Sequence, residues 1–340
     1  GDEAWRFLAA HSNHIVREWA AILVGAFLIL RTPDTDRAAM IKKYGGPSPL
    51  FAEGFEGLKV HWRDEGCRDC PALVLLHGSN ASLQTWEILA GELKTEFRVV
   101  TLDLPGHGLT GRHPRDDYSA RGMMEAVDAV AAAAGLEQFA LGGNSMGGWV
   151  AWRYALAHKE RVSALILLDA AGMPAREGDK APASNIGFRL LRSPIGRALA
   201  EQITPRPLVK QSLLQSVSRK DIVTEQMIDR YWELLRFPGN RRATVMRAKS
   251  SREPEMAARI GDIKAPTLII WGREDRLIPV SAATTFKERL PQAETMIFDG
   301  VGHIPMEEAP EATAAAIRTF LVHETPPGAA AGARASVGAR

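Results

Sequence analysis

Cysteine is nearly absent from this chain: its 340 residues include two, Cys67 and Cys70. A disulfide-built scaffold is thereby excluded. The pair reads C-x-x-C, but a zinc site needs two further ligands at suitable spacing, and no second cysteine pair exists. The two thiols are expected in a surface turn ahead of a strand, where an oxidising compartment would let them close a small local bond. Charge of one sign is lacking as well. The net charge is +2, so the molecule as a whole carries no nucleic-acid signal. Long apolar runs are also missing. The most extended one, WAAILVGAFLIL at 19–30, is twelve residues, whereas crossing a bilayer unaided takes roughly 20. Extending it backward brings His11, His14, Arg17 and Glu18 into the apolar zone. No small-x-small site follows Leu30, which argues against a cleaved signal peptide. Three readings of this segment stay open: an uncleaved signal anchor, a helix lying in a membrane interface, or a helix packed on the domain. Membrane association through residues 15–31 and a place at the membrane or cell envelope are the expectation, with the cytoplasm as alternative.

What is present is an ordinary globular composition, 46% hydrophobic and 24% charged, enough to bury a sizeable core. The length suits one large domain with an insertion, or two domains. Residues 32–50 are polar with Pro and Gly and read as a linker, so 1–50 forms an apolar helix plus linker. Strand and helix patterns then alternate. Residues 58–63 are a short strand candidate, and the apolar runs at 72–76, 98–102, 139–142, 162–168, 267–271 and 295–298 are further ones. Helical stretches fall at 121–134, 148–158, 282–290 and 310–322. Continuous apolar strands imply burial on both faces, hence a parallel sheet covered by helices. The pattern predicts an α/β fold: a doubly wound, mostly parallel sheet with its site at the carboxyl ends of the strands.

The alternation breaks from Met173 to about Ala258, a helical, Arg- and Pro-rich stretch. We read 51–172 and 259–323 as the core, 173–258 as an inserted helical cap, and 324–340 as a disordered low-complexity tail. The cap segment holds sixteen Lys/Arg against nine Asp/Glu. Most of these suit solvated helix faces. A sharper reading joins the basic cap to the apolar N-terminal helix in docking on an anionic membrane surface. Apolar cap residues Ile186, Phe188, Leu190, Leu213, Leu214, Trp232 and Leu235 line either the cap's own core or a substrate pocket.

Chemistry concentrates at the strand ends. Gly143-Asn144-Ser145-Met146-Gly147 matches G-x-S-x-G after a strand and before a helix, the context a nucleophile elbow requires. The turn is so tight that side chains two residues either side of the serine would clash. The serine then stands exposed above the sheet, and helix amides follow at once to meet a developing oxyanion. A serine needs a base, and the partners should follow in the order acid, then histidine. His303, in GVGHIP after the last strand, is the natural base. Asp275, in GREDRLIP after the strand before, is the natural orienting acid, with Asp169 as main rival and Glu274 adjacent. The loop His77-Gly78-Ser79-Asn80 should supply a second oxyanion donor. Ser79 is chosen, with Asn80 as runner-up, and Met146 N–H supplies the other. His77 and His107 read as loop architecture rather than chemistry.

HGSN, DLPGHG, GNSMGG, GREDRLIP and GHIPMEEAP, in this order, resemble the α/β-hydrolase superfamily over about residues 55–322. The resemblance implies Ser145, Asp275 and His303 as a triad. Serine at the elbow sets the chain apart from haloalkane dehalogenases and epoxide hydrolases, which carry aspartate there. Two branches are most similar: bacterial esterases and lipases with an N-terminal hydrophobic segment, and meta-cleavage-product hydrolases, which cut C–C bonds. In the second branch tryptophan typically follows the histidine, whereas here Ile304 does. The implied activity is hydrolysis of a small-molecule or lipid-like carboxylic ester through an acyl-enzyme, with no metal or organic cofactor and no nucleic-acid partner. The alternatives are C–C hydrolysis of a vinylogous diketone and a non-catalytic ligand-binding protein that keeps the fold.

Overall fold

A computed structural model describes residues 16–22, 25–179, 193–250 and 253–324. After helical residues at 16–22 and 25–30 come α1 (Arg37–Tyr44), β1 (Leu50–Glu53), β2 (Lys59–Gly66), β3 (Ala72–Leu76), α2 (Glu87–Leu93) and β4 (Arg98–Leu102). They are followed by α3 (Ala120–Ala134), β5 (Phe139–Asn144), α4 (Met146–Ala157) and β6 (Val162–Leu168). Helices α5 (Pro194–Ala200), α6 (Arg206–Ser216), α7 (Glu225–Leu235) and α8 (Asn240–Arg247) then lead to β7 (Thr267–Gly272). The chain finishes with α9 (Ser281–Arg289), β8 (Glu294–Phe298), α10 (Pro305–Glu308) and α11 (Pro310–Glu324). The eight strands form one sheet in the order β1-β2-β4-β3-β5-β6-β7-β8. β1 and β2 are antiparallel to their neighbours, and β3 to β8 run parallel.

The apolar runs explain the layers. Alternate residues of a strand point to opposite faces. Val74 and Leu76 of β3 enter one core, with Val127 and Val130 of α3 and Val150 of α4. Leu73 and Leu75 enter the other, with Leu89 and Leu93 of α2 and Ile317 and Phe320 of α11. Leu165, Leu167, Ile269 and Trp271 repeat the first pattern, and Ile166, Leu168, Leu268 and Ile270 the second. The edges differ: β1 is four residues long, and Glu294, Thr295 and Met296 of β8 are exposed.

One segment departs from expectation. The stretch read as a linker contains α1. Its N-cap Asp36 accepts the Ala39 N–H at 2.8 Å. Met40 packs with Leu109, Leu234 and Phe237, and Arg37 stacks over Phe237 at 4.6 Å. Arg241 donates to the Thr32 carbonyl at 2.7 Å and to Asp34 at 2.6 Å. Tertiary packing on the helices between β6 and β7, not intrinsic propensity, holds this segment. Cys67 and Cys70 are bonded to each other across their turn. In the N-terminal helical residues Val16, Trp19, Ile22, Leu28, Ile29 and Leu30 are exposed. Among the described residues no helix is long and apolar enough to cross a membrane. The expected tail from 325 onward, and the pocket candidates Ile186, Phe188 and Leu190, lie outside the described residues.

Candidate active site

β5 delivers the chain to Ser145, and α4 begins one residue later. Ser145 holds φ 54°, ψ −116°, a left-handed setting that costs a non-glycine residue about 1–3 kcal/mol. The surroundings hold it there. Its N–H donates to the Leu168 carbonyl at 3.0 Å, and its own carbonyl accepts from Ala171 at 2.9 Å and Trp149 at 3.1 Å. A Cβ on Gly143 would lie 2.3 Å from the Gly147 carbonyl, and one on Gly147 would lie 2.1 Å from the Leu76 oxygen. Neither position admits a side chain without moving backbone.

Asp275 follows β7, and His303 follows β8. His303 Nδ1 lies 2.7 Å from Asp275 Oδ2. Asp275 Oδ1 accepts the N–H groups of Leu277 at 2.7 Å and Ile278 at 3.0 Å, so three donors converge on one carboxylate. With Nδ1–H facing that carboxylate, Nε2 is left as the acceptor. The histidine loop is fixed by its backbone: His303 N–H donates to Ser216 O at 2.7 Å, and Asn144 Nδ2 donates to the His303 carbonyl at 2.9 Å. Asp169 does not pair with the Nδ1 of His303; its Oδ1 accepts the Gly272 N–H at 2.9 Å. Glu274 N–H bonds the Val301 carbonyl, so its backbone supports the turn.

Ser145, His303, Ser79, Asn80 and Met146 line one cavity of about 380 Å³. Met146 opens α4, so its N–H has no partner within the helix. From α6 and α7 and the turn ahead of them, Ile203, Leu208, Val209, Leu213 and Leu235 add apolar wall. Trp232 instead donates to the Thr204 carbonyl at 2.7 Å. Asp169, Asp275 and His303 each place one donor atom within 4.8 Å of the others, a spacing that a metal ion could bridge. The His303–Asp275 bond and the two backbone donors already engage the Asp275 oxygens.

His77 and His107 are structural. His77 Nδ1 donates to the Gly78 carbonyl at 2.8 Å, and Nε2 accepts the Leu104 N–H at 3.0 Å. Burial holds its pKa below the usual imidazole value. His107 Nδ1 donates to the Pro105 carbonyl at 3.0 Å, and its Nε2 faces Arg247. Burial first, then the Arg247 charge, pushes His107 well down.

Sequence reasoning missed four contributors. Asn144 ties the elbow to the histidine loop. Arg247 lines the cavity and donates to Asn80 Oδ1 at 2.9 Å. Glu307 accepts from Tyr231 at 2.6 Å and Thr85 at 2.5 Å. Glu308 accepts the N–H groups of Ser218, Arg219 and Gly302 at 2.9, 2.6 and 2.8 Å. The two glutamates sit in the GHIPMEEAP motif, where acidic residues next to a site histidine were the available signal.

Comparison with known proteins agrees with this architecture. The model of the alpha/beta hydrolase fold family matches residues 71–310. A 2-hydroxy-6-oxononadienedioate/2-hydroxy-6-oxononatrienedioate hydrolase of Paraburkholderia phymatum is 29% identical, over 74% of this chain and 86% of that protein. Monoacylglycerol lipase ABHD6 of Homo sapiens is 29% identical, over 75% and 77%. The crystal structure of a bacterial membrane phospholipase A is similar at a TM-score of 0.68 and 26% identity, covering 94% of this chain and 98% of that one. With its mostly parallel eight-stranded sheet, its elbow at the end of β5 and the family model spanning most of its length, the chain belongs to the α/β-hydrolase fold family.

Proposed function

We propose that this hydrolase cleaves carboxylic esters through an acyl-enzyme on Ser145. The observation that carries the reading is the 2.7 Å bond between His303 Nδ1 and Asp275, with His303 and Ser145 on one cavity. His303 Nε2 accepts the Ser145 hydroxyl proton as Oγ attacks the ester carbonyl. Asp275 keeps the ring oriented and balances the imidazolium charge. The N–H groups of Met146 and Ser79 receive the oxyanion, each worth about 2.7–4 kcal/mol to the transition state. The alcohol leaves with the proton from His303. Water, deprotonated by His303, then releases the acid. The scheme uses no metal or organic cofactor.

The apolar wall of Ile203, Leu208, Val209, Leu213 and Leu235 suits an acyl chain. The monoacylglycerol lipase and phospholipase A among the similar proteins support a lipid-like ester. Residues 173–258 serve in this reading as a cap over the 51–172 and 259–323 core. Membrane association fits the same picture, and with it a place at the membrane or cell envelope. The Thr32 N–H bonds the Gln202 carbonyl, bringing the exposed apolar helix beside α5, where Ile195 and Leu199 are also exposed. Ala200 and Ile203, next along the chain, line the cavity.

A second reading, C–C hydrolysis of a meta-cleavage product, has its own support. Several curated relatives are named as hydrolases of 2-hydroxy-6-oxo dienoates, and Arg247 lines the cavity beside Asn80. A panel of p-nitrophenyl esters of graded chain length, with one meta-cleavage product, separates the two. Ester turnover that falls on the order of 10⁶-fold in Ser145→Ala is expected. Turnover of the meta-cleavage product alone would transfer the assignment to the second reading.

A further inference from the structure

Asp169 directly follows β6 and has no part in the scheme above. It is fully buried and sits at φ 45°. Its Oδ1 accepts the Gly272 N–H. Its Oδ2 is buried, and no N–H or O–H among the described residues reaches it. Asp275 lies against it: one oxygen of each carboxyl and a ring nitrogen of His303 fall within 4.8 Å of one another. Two buried carboxyls so close do not both ionise. The donors decide which one keeps the proton. Asp275 accepts from Leu277, Ile278 and His303, whereas Asp169 accepts from Gly272. Hydrogen bonds to a carboxylate favour its charged form, so the charge belongs on Asp275.

The geometry points to Asp169 as a positioning residue: a buried carboxylic acid that stays protonated and donates its Oδ2–H to Asp275, holding that carboxylate against His303. The inference rests on the reading of Asp275 and His303 as the orienting acid and the base. It gives the otherwise unpartnered Oδ2 a bond. It also explains how an aspartate tolerates complete burial beside another. Burial first, then the charge of Asp275, pushes the Asp169 carboxyl well above its usual range, with Glu308 adding and the Gly272 N–H opposing. The ionisable groups facing it are Asp275 after β7, His303 after β8 and Glu308 on α10.

Two variants test this. Asp169→Asn keeps an N–H toward Asp275 and carries no charge. Asp169→Ala removes the donor. In kcat/KM against pH on a p-nitrophenyl ester, Asp169→Asn should leave the acidic limb in place. Asp169→Ala should lower kcat about 10- to 100-fold relative to Asp169→Asn with KM kept, the scale of a hydrogen bond to a charged group. An acidic limb moved to lower pH in Asp169→Asn means a negative charge was removed and overturns the proposal. Equal kcat in the two variants does so as well. Should Asp169→Ala not fold, the Asp169→Asn limb still decides.

Thermal stability needs no turnover and separates this proposal from the ester reading. An unfolded chain releases the Asp169 proton above about pH 3.9, whereas the folded chain keeps it. The folded pKa is raised, so the stability linked to this proton is full below that pH and is lost as pH rises. The stability advantage of Asp169→Asn over wild type should therefore widen from pH 5 to pH 8. A constant difference overturns the protonated acid even if no ester is ever hydrolysed. If esters are turned over but this difference is flat, the ester reading survives alone.

Discussion

At the scale of single residues, each group at the site holds its role through what it accepts. Ser145 keeps a costly backbone setting because Leu168, Trp149 and Ala171 bind its amide and carbonyl. Asp103 is fully buried, yet its pKa is lowered. Burial pushes it up, but hydrogen bonding to His61 and the nearby imidazoles more than offset that. Its oxygens also accept the Leu83 and Leu109 N–H groups, at 2.7 and 2.8 Å. His107 works the other way: it is buried neutral, with a depressed pKa. The unfolded chain takes up that proton first, below about pH 6.5, so stability linked to His107 is lost as pH falls through that value. We expect His107→Gln to flatten the loss of melting temperature between pH 7 and pH 5; an unchanged slope would assign the acid lability elsewhere. Motif spacing and strand ends pointed to Ser145, Asp275 and His303 in the sequence. Asp169 stayed a rival there because both aspartates follow apolar strands; in the structure it is Asp275 that meets His303 Nδ1, at 2.7 Å.

At the scale of elements, the central strands were legible because doubly covered strands read as unbroken apolar runs. β3, β4 and β6 fall on the expected residues. The edge strand β1 was not legible, since four residues with a single buried position leave no period. α1 was missed for a related reason: Met40 alone is buried in it, and its partners Leu109, Leu234 and Phe237 are distant in sequence. For the helices between β6 and β7, expected from the sequence as a cap, the structure adds an anchor. Glu308 accepts three backbone N–H groups, two of them from the α6–α7 turn. Replacing it by alanine leaves those donors buried and unmade, at about 1–3 kcal/mol each. Glu308→Ala should therefore lose several degrees of melting temperature and also reduce ester turnover, because the Gly302 bond sits next to His303. Retained stability, read by calorimetry, would mean water takes over the carboxylate's place.

At the scale of the whole molecule, a near-neutral chain carries two local biases. The helices between β6 and β7 belong to a stretch with an excess of Lys/Arg. The exposed Trp19, Ile22, Leu28, Ile29 and Leu30 join the domain beside α5 through Thr32 and Gln202. In the docking proposed above, these biases would add on an anionic bilayer, apolar side chains entering the interface and each nearby cation contributing about 1 kcal/mol. Deletion of residues 1–31 should lower co-sedimentation with phosphatidylserine vesicles, and added salt should lower what remains. Equal partitioning of the shortened and full chains would remove the docking role.

The central claim concerns Ser145 itself, and a rapid-mixing burst tests it most directly. Mixed with excess p-nitrophenyl ester and quenched in acid, the wild-type protein should release p-nitrophenol in a burst of about one equivalent per chain when deacylation is the slower step. Mass spectrometry should then find the acyl group on the peptide that contains Ser145, and Ser145→Ala should show neither burst nor adduct. An acyl group on another residue, or an undiminished burst in Ser145→Ala, would contradict the account.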